Sequence, residues 1–264
     1  MSEVLEALIL GIVQGLTEFL PVSSSGHLEI AKFLLGDESM GEQSLLMTVV
    51  LHFATALATL WVLRAEVRDL LLGLFRKADS SWPYVLLIVV SMIPAALVGV
   101  FFDELIESMF SQQLLLVGLA LLVTAVLLVI ADRVVETDRE VDLKSAVLIG
   151  LAQAVAIIPG ISRSGATIAT AVMLKVDRER AARFSFLMVV PLIFGKMAKD
   201  LLDGSVTAAD VSGALGVGFL AAFVTGILAC TWMIRLVKQS KLRYFGWYCV
   251  VVGVLAIVFT FATQ

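Results

Sequence analysis

Cysteine and charge are both scarce in this sequence. Its two cysteines, Cys230 and Cys249, each lie inside an apolar run. They provide neither a disulfide framework nor metal-ligand spacing, so we expect both to be reduced core residues. Charged residues make up 16% of the chain, against the ~25% typical of soluble domains. An ordinary water-soluble surface is therefore excluded.

A basic segment is also missing before the first apolar run, where Glu3 and Glu6 stand instead. No cleavable signal peptide is therefore expected. Apolar residues are in excess: they make up 60% of the 264 residues, and the mean hydropathy is +1.01. This composition is typical of a polytopic membrane protein, with membrane lipids around it and no nucleic acid partner.

Six apolar segments are long enough to cross a membrane as helices. They are residues 45–63, 84–102 and 114–131 in the first half, and residues 181–202, 211–234 and 244–261 in the second. Each has close to the ~20 residues that a helix needs to cross ~30 Å of hydrocarbon. We therefore predict an all-α polytopic membrane protein with three transmembrane helices in each half.

Two shorter apolar segments are each interrupted by a proline and a polar loop. Residues 5–20 lead into loop 21–26, and residues 143–158 lead into loop 159–165. A short apolar limb follows each loop, over residues 27–35 and 166–174. The longer limbs would measure only ~24 Å as helix. We predict two re-entrant hairpins, whose loops must be covered by protein or a water-filled cavity.

The two hairpins belong to an internal repeat with an offset of 139 residues. Five positions of the first copy recur as identical residues in the second: Gly11, Gln14, Ser23, Ser25 and Gly26 match Gly150, Gln153, Ser162, Ser164 and Gly165. Because each half makes an odd number of crossings, the second must start from the opposite side. We predict inverted-topology repeats, residues 1–135 and 136–264, in one integral membrane domain whose loops meet near the midplane.

Basic residues are distributed unevenly across this topology. Of nineteen Lys and Arg residues, fifteen fall on one side and only Lys32, Lys196 and Lys199 on the other. The richer side is assigned to the cytoplasm. Both termini and the connector at residues 36–43 then lie outside, and the first hairpin opens outward.

The remaining basic residue, Arg163, lies at the tip of the second loop. An arginine within a bilayer is costly, which indicates a function and an anionic partner. Hydroxyl and N–H donors surround this position in the two loops, namely Ser23, Ser162, Ser164, Gly165 and Thr167. Together with the N-terminus of the following helix they predict a phosphate-binding site. The alternative is that Arg163 only pairs with Glu18 as a buried strut.

The first hairpin contributes an acid and an imidazole that the second lacks. Gln14 and Glu18, four residues apart on one helical face, offer oxygen ligands for Mg²⁺ or Ca²⁺. Gln14 could instead satisfy backbone N–H groups of the loop. His27 is a candidate base, nucleophile or phosphate donor. For His52, within an apolar run, a core role and a supporting role stay open.

Two motifs make the sequence recognisable. GLTEFLPVSSSGH at residues 15–27 and PGISRSGAT at residues 159–167 resemble the paired signatures of the undecaprenyl-diphosphatase family, the BacA-type bacitracin-resistance proteins. The resemblance covers essentially the whole chain. The family's first motif carries Glu or Gln followed four residues later by Glu, matched here by Gln14 and Glu18. Its serine loop and histidine match Ser23 to His27.

The resemblance implies hydrolysis of a long-chain polyprenyl diphosphate to the monophosphate carrier used in peptidoglycan and cell wall synthesis. The enzyme would lie in the bacterial cytoplasmic (inner) membrane with its site facing outward, and would confer bacitracin resistance. The expected mechanism has the cation and Arg163 hold the diphosphate. His27, or Ser24 or Ser25 activated by it, then attacks phosphorus or activates water.

Two other functions remain compatible with the sequence. A flippase or transporter of a polyprenyl phosphate would use the same anion site, since inverted repeats with broken helices are typical of transporters. A catalytically silent lipid-binding protein is the second alternative. A homodimer is left open as the assembly.

Overall fold

The computed structural model describes residues 2–35, 42–76, 81–102, 114–202, 212–239 and 241–262. Within these residues the chain forms eleven α-helices, and its one β contact is an isolated bridge between Arg139 and Val176. In chain order the helices are α1 (Glu3–Phe19), α2 (Ser24–Leu35), α3 (Glu42–Val62), α4 (Arg64–Phe75), α5 (Ser81–Phe101), α6 (Leu114–Asp132), α7 (Leu143–Val155), α8 (Arg163–Met173), α9 (Arg178–Leu202), α10 (Gly213–Lys238) and α11 (Leu242–Ala262). The predicted all-α class is confirmed.

Five of these helices, α5, α6, α9, α10 and α11, are long and apolar enough to cross a membrane. Their outer faces expose large apolar side chains, such as Leu97 at 51% and Leu228 at 64%. Helices that are apolar on all sides are stable against lipid rather than against water. The chain is therefore a multi-pass membrane protein.

A sixth predicted span ends in a bend. Leu46–Val62 and Arg64–Phe75 form a helix pair whose axes differ by 77°. The sequence predicts the span but not α4, because charged residues from Arg64 onward interrupt the apolar pattern. Val67 and Leu70, three residues apart on one face, nevertheless pack against the main hydrophobic core. This helical spacing within a charged segment is the signal that the sequence reading misses.

Two short helix pairs, α1–α2 and α7–α8, stand at the predicted hairpins. Helices α2, α7 and α8 have 12, 13 and 11 residues, or ~18, ~20 and ~17 Å, too short to cross ~30 Å of hydrocarbon. The second limbs begin at Ser24 and Arg163, three residues earlier than predicted, because the serine before each accepts an N–H group from the first turn of the helix. The re-entrant course and the inverted orientation stay predictions.

Each hairpin packs against a helix from the other half of the chain. Helix α1 lies against α10, and α7 lies against α5. A Cβ on Gly11 would come within 2.4 Å of the carbonyl oxygen of Gly218, and a Cβ on Gly150 within 2.4 Å of that of Ser91. Both contacts require glycine. Two positions 139 residues apart in the sequence thus make the same kind of close approach.

The largest core cluster draws on α6 and on α8 to α11 and reaches the first loop. Phe19, directly after Glu18 in the chain, packs edge-to-face on Phe186 with ring centroids 5.4 Å apart. Cys230 and Cys249 are free and fully buried, as expected. The core thereby supports the end of α1, where the charged residues of the two loops meet.

Candidate active site

Glu18 lies in the last turn of α1 and is 8% exposed. Its Oε2 accepts hydrogen bonds from Nε2 of Gln14 at 3.0 Å and from Oγ of Ser24 at 2.7 Å. Its Oε1 forms an ion pair with Nη2 of Arg163. A buried carboxylate is costly unless it is paired and hydrogen-bonded, and here three donors satisfy it.

Arg163 joins the two hairpins through this ion pair, since it is the first residue of α8. The pairing of Arg163 with Glu18 that the sequence leaves as an alternative is therefore present. However, Nη1 of Arg163 is buried and has no hydrogen-bond partner among the described residues. Nη2 of the guanidinium pairs with the Glu18 carboxylate, and Nη1 retains N–H donors that could bind an oxyanion.

The two loops touch at several further points. The Ser164 hydroxyl donates to the carbonyl oxygen of Leu20 at 3.2 Å. A Cβ on Gly165 would lie 3.3 Å from Cβ of Pro21, and a Cβ on Gly26 would lie 3.3 Å from Cα of Gly160. The loops meet as expected, and their depth in a membrane stays a prediction.

The hydroxyls expected to bind phosphate are largely occupied by protein partners. Ser23 and Ser162 accept the N–H groups of Gly26 at 3.2 Å and of Gly165 at 3.0 Å, which caps α2 and α8. Thr167 is fully buried, and its Oγ1 lies 2.5 Å from Oγ of Ser185 on α9. In this geometry Arg163, rather than these hydroxyls, is the group with an unused donor.

Ser24 has a different partner from the one expected. The expected mechanism has Ser24 or Ser25 activated by His27, but the Ser24 hydroxyl donates to Glu18, and Ser25 Oγ lies 3.3 Å from Oγ of Ser23. The reason is that α2 begins at Ser24, so His27 lies almost one turn further on. Its Nδ1 turns back to the carbonyl oxygen of Ser23, at 2.8 Å.

A family model described as bacitracin resistance protein BacA matches residues 7–255. The chain belongs to the BacA family. Proteins named undecaprenyl-diphosphatase from Christiangramia forsetii and Bacteroides fragilis are 55% and 49% identical to it, over 98% and 96% of this chain and 99% and 97% of their own lengths. One from Methanobrevibacter smithii is 39% identical over 96% of each chain. The resemblance read from the two motifs is confirmed.

The cation expected at Gln14 and Glu18 can be compared with the oxygen donors that this BacA-family site presents. Gln14 is fully buried, and its Oε1 has no hydrogen-bond partner among the described residues. Yet no group of three or more His, Cys, Asp or Glu side chains in the described part of the chain could hold a metal ion. Mg²⁺ is commonly held by one or two carboxylates plus substrate phosphates. Glu18 and Gln14 supply one carboxylate and one amide oxygen, a donor set that suits a cation also held by substrate phosphates, and the cation itself stays a prediction.

Two residues near the site, Tyr248 and Thr124, are not indicated by the sequence, whereas His52 is among the candidates that the sequence offers. Nε2 of His52 lies 3.8 Å from Oε2 of Glu18, so the supporting role left open for His52 fits its position. The hydroxyl of Tyr248 lies 2.8 Å from Nε2 of His27. Thr124 accepts the N–H of Ser162 at 2.9 Å. His52 carries a weak signal as one of only two histidines, whereas Tyr248 and Thr124 lie on distant helices without a motif.

Proposed function

We propose that this chain hydrolyses undecaprenyl diphosphate to undecaprenyl phosphate and inorganic phosphate. Relatives up to 55% identical over nearly the full chain carry the name undecaprenyl-diphosphatase. The observation that carries the proposal is the buried cluster of Glu18, Ser24 and Arg163 at the contact of two loops in a multi-pass membrane protein. The product is the carrier lipid for cell wall polysaccharides, and its supply accounts for bacitracin resistance.

The hydrogen bond between Ser24 and Glu18 favours Ser24 as the group that attacks phosphorus. Its hydroxyl proton points at the carboxylate across 2.7 Å, so a proton acceptor is already in place. As Ser24 Oγ bonds to the terminal phosphorus, the bond from that phosphorus to the bridging oxygen breaks, and undecaprenyl phosphate leaves. Water then cleaves the phosphoserine, returning the serine hydroxyl and releasing inorganic phosphate.

Arg163 links substrate binding to the ability of Glu18 to accept the proton of Ser24. Its guanidinium neutralises Glu18, while Nη1 has no partner among the described residues. A diphosphate drawn to Nη1 competes with Glu18 for the guanidinium. As the arginine turns toward the phosphate, the carboxylate loses part of its counter-charge and becomes a better proton acceptor for Ser24.

A divalent cation, Mg²⁺ or Ca²⁺, is part of the proposal. Glu18 and the unpartnered Oε1 of Gln14 would hold it together with diphosphate oxygens. When bound, the cation supplies positive charge that offsets the charge on the diphosphate.

Phosphate release from undecaprenyl diphosphate by the detergent-purified chain tests both proposals. We expect steady release with Mg²⁺ or Ca²⁺ present, loss of release on addition of a chelator, and recovery when the cation is restored. Binding of the lipid without phosphate release under any cation condition would contradict hydrolysis, and would favour a lipid-phosphate flippase or a silent binding protein. If a chelator leaves phosphate release unchanged, the proposed cation would be contradicted, while the proposed hydrolysis would stand.

We further propose that the chain lies in the bacterial cytoplasmic membrane with both termini outside. The uneven distribution of basic residues supports this orientation. Ion pairs link residues assigned to the cytoplasmic side: Arg183 pairs with Glu66 and with Glu179, and Lys238 Nζ lies 2.8 Å from Glu179. The ends of α4, α9 and α10 therefore lie together on one face.

Single-cysteine labelling in intact cells tests this orientation. Ser39→Cys and Ser108→Cys should react with an impermeant thiol reagent, whereas Ser240→Cys should react only after the cells are opened. The three positions lie outside the described residues. The native Cys230 and Cys249 are buried, so the background should be low. Labelling of Ser240→Cys from outside would overturn the orientation.

A further inference from the structure

His27 has both ring nitrogens engaged. Nδ1 lies 2.8 Å from the carbonyl oxygen of Ser23, and Nε2 lies 2.8 Å from the hydroxyl of Tyr248. A carbonyl oxygen can only accept, so Nδ1 carries the proton of the neutral imidazole. Nε2 is then the unprotonated, basic nitrogen, and the Tyr248 hydroxyl donates its hydrogen to it.

The two bonds differ in how easily they can be broken. Ser23 has a positive φ of 71° at the turn into α2, and its carbonyl oxygen also accepts the backbone N–H of His27 at 3.1 Å. Nδ1 is therefore tied to the turn that shapes the first loop. Tyr248 is 45% exposed, and its ring stacks on the His27 imidazole with centroids 5.6 Å apart. Its hydroxyl can leave Nε2 by rotation of one side chain.

The backbone beside Tyr248 is held more firmly than its side chain. Cys249, the next residue of α11, is fully buried, and its Sγ donates to the carbonyl oxygen of Pro21 at 3.6 Å. Helix α11 is thereby fixed against the first loop. The phenol is kept close to His27 by this anchor.

We propose that the Tyr248 hydroxyl masks Nε2 of His27 until the diphosphate displaces it. The proposal rests on the proposed function. Because Nδ1 is committed to Ser23, Nε2 is the only ring nitrogen that can serve a phosphoryl group. The phenol and the substrate therefore compete for one nitrogen, so the hydroxyl lowers the affinity for substrate, while the bond from Nδ1 to Ser23 keeps the imidazole oriented.

Tyr248→Phe removes the hydroxyl and keeps the ring that stacks on His27. We expect KM for undecaprenyl diphosphate to fall by about 2- to 10-fold, the effect of one neutral hydrogen bond, with kcat unchanged. Tyr244→Phe is the matched control, since Tyr244 lies one turn earlier on α11 and its hydroxyl is 3.5 Å from Arg243 Nη2. It should leave both constants unchanged.

Chemical labelling tests the same hydrogen bond without turnover. Diethyl pyrocarbonate acylates unprotonated imidazole nitrogen, so His27 should react faster in Tyr248→Phe than in the wild-type protein, as measured by mass spectrometry of its peptide. His52, the other histidine of the chain, is the internal control and should react at an unchanged rate.

The outcomes separate this proposal from the proposed function. Unchanged labelling of His27 in Tyr248→Phe would overturn the masking of Nε2, whatever the chain catalyses. A lower kcat at unchanged KM, or a higher KM, would also overturn it, because the hydroxyl would then act in the reaction or hold the substrate. Faster labelling in a protein that releases no phosphate would leave the hydrogen bond standing and reject hydrolysis.

Discussion

Glu18→Gln should lower kcat for phosphate release by roughly 10²–10⁴-fold, the usual contribution of a positioned proton acceptor. The amide keeps the size of the side chain but cannot take the proton of Ser24, whose hydroxyl lies 2.7 Å from the carboxylate. It also leaves Arg163 without its counter-charge. Initial rates should be measured on detergent-purified variant and normalised to the folded fraction from size exclusion.

Glu29→Gln is the matched control for this substitution. Glu29 also lies on the first hairpin, where its carboxylate is 3.8 Å from Nζ of Lys32 and not part of the cluster at Glu18. Its loss should leave the rate near the wild-type value. Near-normal activity in Glu18→Gln, with unchanged dependence on the cation, would show that Glu18 is neither the proton acceptor nor a ligand.

Arg163→Lys should be a comparably severe lesion. A guanidinium has two sides, and the structure uses one for Glu18 while Nη1 stays unpaired among the described residues. A lysine provides a point charge that could still reach the carboxylate but lacks the planar fork that grips two oxygens. We expect kcat and kcat/KM to fall together by roughly 2.7–4 kcal/mol of transition-state stabilisation, as for the loss of one preorganised donor.

Two other results for Arg163→Lys would contradict a role of Arg163 in stabilising the transition state. A rise in KM with kcat unchanged would mean that Arg163 only anchors the diphosphate before reaction. A loss of thermal stability, with most activity kept in the folded fraction, would reduce it to a strut for Glu18. Arg178→Lys is the comparison, since Arg178 is 4% exposed and its Nη2 donates to the carbonyl oxygen of Val134 at 2.8 Å, away from the site. It should lose stability without a specific loss of kcat.

The membrane character and the two loops could be predicted because their signals are local. Long apolar runs determine helices that face lipid, and Pro21 followed by three serines determines an interruption. The pairing of Arg163 with Glu18 was also within reach, since a charge among apolar segments needs a partner and few candidates existed. None of these conclusions depends on how the helices pack.

The contacts that decide the chemistry depend on that packing. Tyr248 lies 221 residues after His27. Their side chains come together only because α11 packs against the first loop. The partner of Ser24 depends on where α2 begins, which is three residues earlier than the apolar pattern predicts. Helix α4 was missed because its charges conceal an apolar face that becomes visible only beside the core.

The ion pair between Glu18 and Arg163 has a consequence for synthesis on the ribosome. The two residues are 145 positions apart, so at ~5–20 residues per second the acid is made roughly 7–30 s before its counter-ion. A lone carboxylate within a bilayer costs ~2.5–3.5 kcal/mol on insertion scales. With the loops at their predicted depth, Glu18 of the nascent first hairpin would stay protonated or hydrated during this interval. Arrival of the second hairpin then completes the charge balance, so Arg163 contributes to assembly in addition to its proposed role in binding phosphate.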